Sequence, residues 1–396
     1  MSISTYVNQK LRMYVTSCGF ISLLIYSLLS SEVNAAERLW PDNLFAVQFV
    51  SKDRGFVAGE TGTILRTDDA GNSWKLFYIG SPELIRRISF ISADEGWAIG
   101  HKGSIFHTKD AGEHWVLQHT ENGNYLRDVT FVDSQQGWVV GHAGLILHTS
   151  DGGKTWTKQY LKGYFGRDVP RLHGIHSLDS SGKKLIAVGE FGVIAHTENG
   201  GELWVVTPFD NDITWLAVTA TPECITVVGL DGNAACLKEA NAEERAALDE
   251  LVAQQVAALV EKARKKAERR HKQYIPGEES EIYRGELEYV VHPISTGTTE
   301  HLFDVDVVGK SAVAVGRSSI LNLKSTGGEA LTGLKLPLDY LWFGGVGASG
   351  PDTFWSVGIR GTAVKGNVNK GEFQLGLSLS SSTEIEVVNS RWMAKQ

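Results

Sequence analysis

A short glycine-closed pattern returns along this chain at nearly constant spacing. Gly55-Phe-Val-Ala-Gly59 is followed by Gly96-Trp-Ala-Ile-Gly100 and Gly137-Trp-Val-Val-Gly141. Ile186-Ala-Val-Gly189, Thr226-Val-Val-Gly229, Val313-Ala-Val-Gly316 and Trp355-Ser-Val-Gly358 continue it. The closing glycines stand 41, 41, 48, 40, 87 and 42 residues apart. The interval of 87 holds one ordinary repeat plus an insertion, so the units number seven. Self-similarity at such a period marks a repeat architecture. The third unit divides into strands at 126–132, 137–141, 145–149 and 155–160, separated by Gly- and Asp-rich turns. Four short antiparallel strands per unit pack radially rather than as a solenoid, and that is the size of one propeller blade. The expected fold is all-β, a seven-bladed β-propeller, with a helical insertion after the fifth blade's inner strands.

The turn after each third strand has its own motif. Thr67-Asp-Asp-Ala-Gly-Asn-Ser-Trp74 recurs at Thr108–Trp115, at Thr149–Trp156 and, weakened, at Thr197–Trp204. This spacing resembles the Asp-box, or BNR, hairpin. The aspartates Asp69, Asp110 and Asp151 can accept backbone hydrogen bonds across the turn. Gly71, Gly112 and Gly153 supply positive φ, and Trp74, Trp115 and Trp156 wedge between blades. These nine residues read as structural. The 43 Gly and 11 Trp against 9 Pro fit the same picture of tight turns between aromatic strands.

Domain organisation follows from where the repeat is interrupted. Residues 1–35 read as a cleaved export signal: Lys10 and Arg12, an apolar stretch over 13–29, and a small-residue site at Val33-Asn34-Ala35. Residues 36–237 hold blades one to four and part of five, and 285–396 hold the rest, with 384–388 as an extra strand completing a terminal blade. Between them, 238–284 is a charged helical insertion. Leu248, Leu251, Val252, Leu259 and Val260 share one face, with acids crowding its start and bases its end. Such a helix either lies on its own propeller or reaches a partner protein or an anionic membrane surface. Cys224 and Cys236 fall on adjacent strands of blade five, where a disulfide and a pair of free thiols are both open. Among functions, a net charge of −8 excludes a broad nucleic-acid-binding face.

Strand direction sorts the loops into two faces. At the start of the innermost strands the aligned positions are Phe45, Arg86, Arg127, His173, Leu216, Phe303 and Trp342, with Arg87, Arg167 and Arg171 beside them. Arg86, Arg87, Arg127, Arg171 and His173 therefore gather in one sector of the central mouth, with Phe303 and Trp342 across from them. Arginine beside aromatics suits a protein partner or a carboxylate-bearing ligand. A second column, Glu60, His101, His142, Glu190, Leu230, Arg317 and Ile359, has ligand-type residues on blades too far apart to share an ion, so neither a metal nor a cofactor is expected.

The combined pattern Gly-Trp-x-Val-Gly-x-x-Gly-x-Ile-x-x-Thr-x-Asp-x-Gly-x-x-Trp resembles the photosystem II stability/assembly factor family, well over about 40–237 and more loosely over 290–370. The resemblance implies an exported, non-catalytic seven-bladed propeller that binds a membrane-protein client through an arginine patch, for which Arg86, Arg127 and Arg171 are the matching residues. It implies a periplasmic location, or the thylakoid lumen in a photosynthetic organism, and an envelope complex as the client elsewhere. The charged helix and the lack of a lipid anchor depart from the cyanobacterial pattern. Asp-box glycosidases are the competing class. Sialidases carry a Phe/Tyr-Arg-Ile-Pro motif, whose nearest approach here is Ile85-Arg-Arg-Ile-Ser89. Xyloglucanase-type enzymes set two acids across a cleft between two propellers, where this chain has one. Carbohydrate binding without turnover is a third reading.

Overall fold

The computed structural model describes residues 42–162, 164, 168–207, 212–269, 288–324, 327–333, 341–377 and 385–387. The expected export signal and Arg167 lie outside these residues. Seven antiparallel sheets, each ordered from an inner to an outer strand, form the blades. Their inner strands are Leu44–Phe49, Ile85–Phe90, Leu126–Phe131, Leu172–Ser177, Trp215–Ala220, Leu302–Val308 and Phe343–Ala348.

The repeated Gly-aromatic pair explains how neighbouring blades lock. In blade two the second strand, Gly96–Gly100, is buried throughout. A Cβ at Gly96 would lie 2.4 Å from the Phe90 ring of the adjacent inner strand, so only glycine lets that ring lie flat there. In blades one and two the aromatic after that glycine then stacks on the next blade. Phe56 meets Phe90 at 3.7 Å between centroids, and Trp97 meets Phe131 at 3.6 Å. These face-to-face ring pairs bury large apolar area at their blade junctions.

The Thr-x-Asp turns are held from within. Thr67 Oγ1 donates to Asp69 Oδ1 and accepts from Gly71 N, while Asp69 Oδ1 accepts from Ser73 N at 2.8 Å. Thr108/Asp110 and Thr149/Asp151 repeat the arrangement. In blade four Asn199 replaces the aspartate and makes the same bond to Leu203 N. Gly71 sits at φ +88°, and a Cβ there would meet Trp355 of blade seven at 2.2 Å.

Among the described residues three blades carry a fifth strand, each parallel to the outer strand it covers. Ile385–Val387 pairs with Trp74–Leu76 of blade one, Leu161–Lys162 with Trp204–Val205 of blade four, and Thr332–Gly333 with Glu372–Phe373 of blade seven. The extra strand expected near 384–388 therefore joins blade one.

The insertion leaves blade five between its third strand, Ala234–Glu239, and its outer strand, Tyr289–Ile294, which pair from Glu239↔Tyr289 to Ala234↔Ile294. Helix α1 spans Ala242–Arg269, about 42 Å at 1.5 Å per residue. Its start is a capping box. Asn241 Oδ1 accepts from Glu243 N and Glu244 N, and Glu244 Oε2 accepts from Asn241 N. Cys224 and Cys236 are joined by a disulfide with Cα atoms 5.6 Å apart. Among the described residues no helix is long and apolar enough to cross a membrane.

Candidate functional site

Every inner strand shifts register at its second residue. The pairing of Leu44 and Ala46, of Ile85 and Arg87, of Leu172 and Gly174, of Trp215 and Ala217, of Leu302 and Asp304 and of Phe343 and Gly345 each skips one position, and blade three skips Arg127 in the same way. A β-bulge leaves its extra residue outside the ladder and re-aims the side chain. The skipped residues are Phe45, Arg86, Arg127, His173, Leu216, Phe303 and Gly344. Opposite each bulge, a backbone N–H at the start of the loop between second and third strands clamps the carbonyl just before the inner strand. The pairs are Glu60→Asn43, His101→Leu84, His142→Tyr125, Glu190→Arg171, Leu230→Thr214, Arg317→His301 and Ile359→Trp342, all at 2.8–3.0 Å. The sevenfold clamp fixes the level at which the bulge residues project.

Together they line one cavity of about 680 Å³, whose wall also includes Arg317, Ser318, Leu341 and Trp342. The sequence column was therefore in register for six blades and two residues off in the seventh. Gly344 holds the equivalent position there, and Trp342 precedes the strand. A Cβ at Gly344 would lie 3.0 Å from the Trp342 ring and 3.2 Å from Phe45, so the indole occupies the space that a side chain at 344 would take. Phe45 and Trp342 lie 5.4 Å apart, inclined by 31°.

The neighbouring arginines Arg86 and Arg87 part company. Arg86 sits over the Phe45 ring, its Cζ 5.5 Å from the centroid. Its Nε is buried with no hydrogen-bond partner, as is Nε2 of His173. Burial first, then the charges of Arg87 and Arg127, pull the Arg86 guanidinium down to about 9, so it is still a cation at neutral pH. His173 is pushed down to about 3 by burial and then by Arg127 and Arg86, which keeps it neutral. Arg127 donates from Nε to Nε2 of His142 at 3.0 Å. His142 is held down to about 4 by burial and then Arg127.

Arg87 does not join the lining, a correction to the sequence reading. It lies one residue past the bulge, back on the ladder, and turns inward across the channel. Nη1 donates to the carbonyls of Phe45 at 2.7 Å and Gly344 at 3.2 Å, Nη2 donates to Asp304 Oδ1 at 2.8 Å, and Nε lies 3.7 Å from Asp128. One guanidinium thus ties blades one, two, three, six and seven below the cavity. Both acids are further held by the next blade, Asp128 by Ile175 N and Asp304 by Val346 N, each at 2.9 Å. Burial still raises Asp128 to about 6 and moves Asp304 upward. Arg171 also stays off the cavity, more than half exposed and paired with Glu190 at 3.2 Å.

Of the second column, only Arg317 reaches the cavity, with Nε 3.6 Å from Glu300. His101 stacks on Tyr125 at 4.4 Å and His142 meets the same ring edge-on at 5.0 Å. Among the described residues no cluster of His, Cys, Asp or Glu could hold a metal ion. The site is a concave, aromatic-walled pocket in which Arg317 is paired with Glu300 while Arg86 and Arg127 have no ion pair among the described residues, a form that suits an anionic or carboxylate-bearing segment.

A seven-bladed propeller of short repeats with a basic, aromatic mouth is the class of fold that the blades and the cavity define. The chain belongs to the family described as photosynthesis system II assembly factor YCF48, which it matches over residues 30–122 and 115–264. Among solved structures, YCF48 from Cyanidioschyzon merolae is 14% identical with a TM-score of 0.57, covering 84% of this chain and 97% of that one. A structure titled YCF48 bound to D1 peptide is 14% identical with a TM-score of 0.56, covering 83% of this chain and 92% of that one. An ancestral GH74 enzyme shares 10% identity with a TM-score of 0.53, over 88% of this chain and 49% of the enzyme. No curated protein matches.

Proposed function

We propose that this chain is an exported, non-catalytic assembly or scaffold propeller that holds a segment of a membrane-protein client in its arginine-and-aromatic mouth. The observation that carries the reading is the convergence of two cationic side chains, Arg86 and Arg127, with Phe45, Phe303 and Trp342 on one cavity of about 680 Å³. Guanidinium groups beside aromatic rings suit a carboxylate-bearing segment of a client. Family membership and the fold shared with a YCF48 structure that holds a D1 peptide support a polypeptide as the ligand. The compartment that goes with this reading is the periplasm, or the thylakoid lumen in a photosynthetic cell, after removal of residues 1–35. Helix α1, with Lys262, Arg264, Lys265, Lys266 and Arg269 toward its end, would be a second contact with the client or with an anionic membrane surface.

None of the residues lining the mouth is an acid, and Asp128 and Asp304 beneath it are engaged by Arg87 and by backbone N–H groups. A glycosidase would need two free carboxyl groups about 5–10 Å apart across the bound sugar, so the likeness to the GH74 enzyme concerns the fold. The test is an affinity pull-down from gently solubilised envelope, comparing the mature chain with the Arg86→Glu/Arg127→Glu double variant. Loss of a co-purifying membrane protein with the variant supports the reading. Equal recovery with both places the contact elsewhere, and turnover on a panel of glycosides would refute a non-catalytic role.

A further inference from the structure

The fifth strands of blades one, four and seven share a register. Each pairs with the residue that follows the turn after the third strand: Trp74 with Ile385, Trp204 with Leu161 and Phe373 with Gly333. Where that cover is present the aromatic is sealed, with Trp74 at 1% exposure, Trp204 at 0% and Phe373 at 1%. Blade two has the same residue, Trp115, at the same place, and no fifth strand among the described residues. There Trp115 is part-exposed, and the outer strand beyond it, Val116–Thr120, presents Val116 at 66% and Leu117 at 53% exposure. Among the described residues no other outer strand of the uncovered blades shows two adjacent large apolar side chains to this degree.

We propose that the outer edge of blade two is a β-augmentation site for an extended, apolar–polar–apolar segment of a partner polypeptide, added parallel to Val116–Thr120. The molecule shows the geometry three times on itself, with its own segments in the place of the ligand. An uncovered edge offers a row of free backbone donors and acceptors, and main-chain hydrogen bonds to it supply affinity while alternate side chains supply selectivity. A parallel strand is the orientation in all three covered blades. A two-fold dimer would pair this strand with itself antiparallel, so the internal precedent favours a different chain as the occupant. The site lies on the outer rim, separate from the central mouth, and stands or falls independently of the client-binding reading.

The test uses the full mature chain and a synthetic peptide Thr-Glu-Ile-Glu-Val-Val-Asn, the sequence of residues 383–389, which includes the segment that covers blade one. Hydrogen exchange is followed over the amides of 115–120. The expected result is about three-fold slower exchange there at saturating peptide, abolished in a Val116→Lys/Leu117→Glu variant and retained in Arg86→Glu. Both replaced side chains face solvent, so the variant's thermal midpoint should match the wild type, and this is measured alongside. Unchanged exchange at 115–120 in the folded wild type overturns the proposal. A concentration-dependent dimer seen by light scattering, lost in the same variant and without peptide protection, also overturns it by making a second copy the occupant.

Discussion

Arg86 and Arg87 are adjacent in sequence and of one residue type, yet the structure assigns them opposite consequences. Replacing Arg87 by Met removes the donor to Phe45 O, Gly344 O and Asp304 and the cation near Asp128. Asp304 and Asp128 then lose their paired cation and keep only the charge of Arg86 nearby. Removing one partner of a buried pair costs about 3–5 kcal/mol. Unfolding entropy scales at about 2 cal/mol/K per residue, so in a propeller of this size the midpoint should fall by about 4–7 °C. Arg86→Met loses only the stacking on Phe45, about 0.5–2 kcal/mol, and relieves a buried Nε, so its midpoint should move by about 2 °C or less. Client capture should behave in reverse, abolished by Arg86→Met and retained by folded Arg87→Met below its midpoint. Differential scanning fluorimetry and urea unfolding give the first comparison and the pull-down the second. Adding Asp304→Leu to Arg87→Met should recover part of the loss, because an apolar pair in place of a buried ion pair is often neutral. Equal midpoints for the two single variants would refute the argument that Arg87 pins the ring.

Other consequences follow from geometry already described. Gly71→Ala combines φ +88° with a Cβ contact of 2.2 Å to Trp355, so it should destabilise by about 3 kcal/mol or more, read as a lowered urea midpoint with unchanged slope. Asp306 is raised by burial to about 6 while accepting from Ala348 N at 2.9 Å. Its folded pKa lies above the unfolded value of 3.8, so its contribution to stability is full below about 4 and lost as pH rises through 6. Asp306→Asn should therefore compare least favourably with wild type near pH 4.5 and more favourably near pH 7.5, and a constant difference across that range would contradict the shift. Replacing residues 242–287 by a short turn should leave the thermal midpoint within about 2 °C, since Glu239 and Tyr289 already face each other across the gap. A larger fall would mean that α1 supports the propeller.

The repeat was legible because blades one to three write the same local physics in full, glycine under an aromatic ring, a buried strand and a turn closed by a hydroxyl and a carboxylate, and the later blades keep the buried strand that ends in glycine. The mouth was largely legible for the same reason, since the bulge recurs at one offset from the closing glycine. Its seventh member was not, because Leu341-Trp342-Phe343-Gly344 offers an aromatic two residues early and the true position has no side chain to notice. Arg87 was grouped with the mouth because it adjoins Arg86 in sequence, whereas the bulge at Arg86 puts Arg87 back on the ladder and turns it toward the other blades. Its partners Asp128 and Asp304 are 176 residues apart in sequence, and no local pattern connects them. The covering of blade four by Leu161–Lys162 was equally hidden, because a two-residue parallel strand has no periodicity to read.

The seven mouth residues stand outside the hydrogen-bonded ladder, each held by its own backbone clamp. Exchanging their side chains therefore leaves strand register alone, although Arg86 and Phe45 stack on one another and Trp342 fills the space beside Gly344. In effect the ring behaves like a keypad whose keys can be reset on a chassis that does not change when a key does. A lineage could retarget such a protein to a new client by drifting at Phe45, Arg86, Arg127, His173, Leu216 and Phe303 while the repeat that builds it remains recognisable.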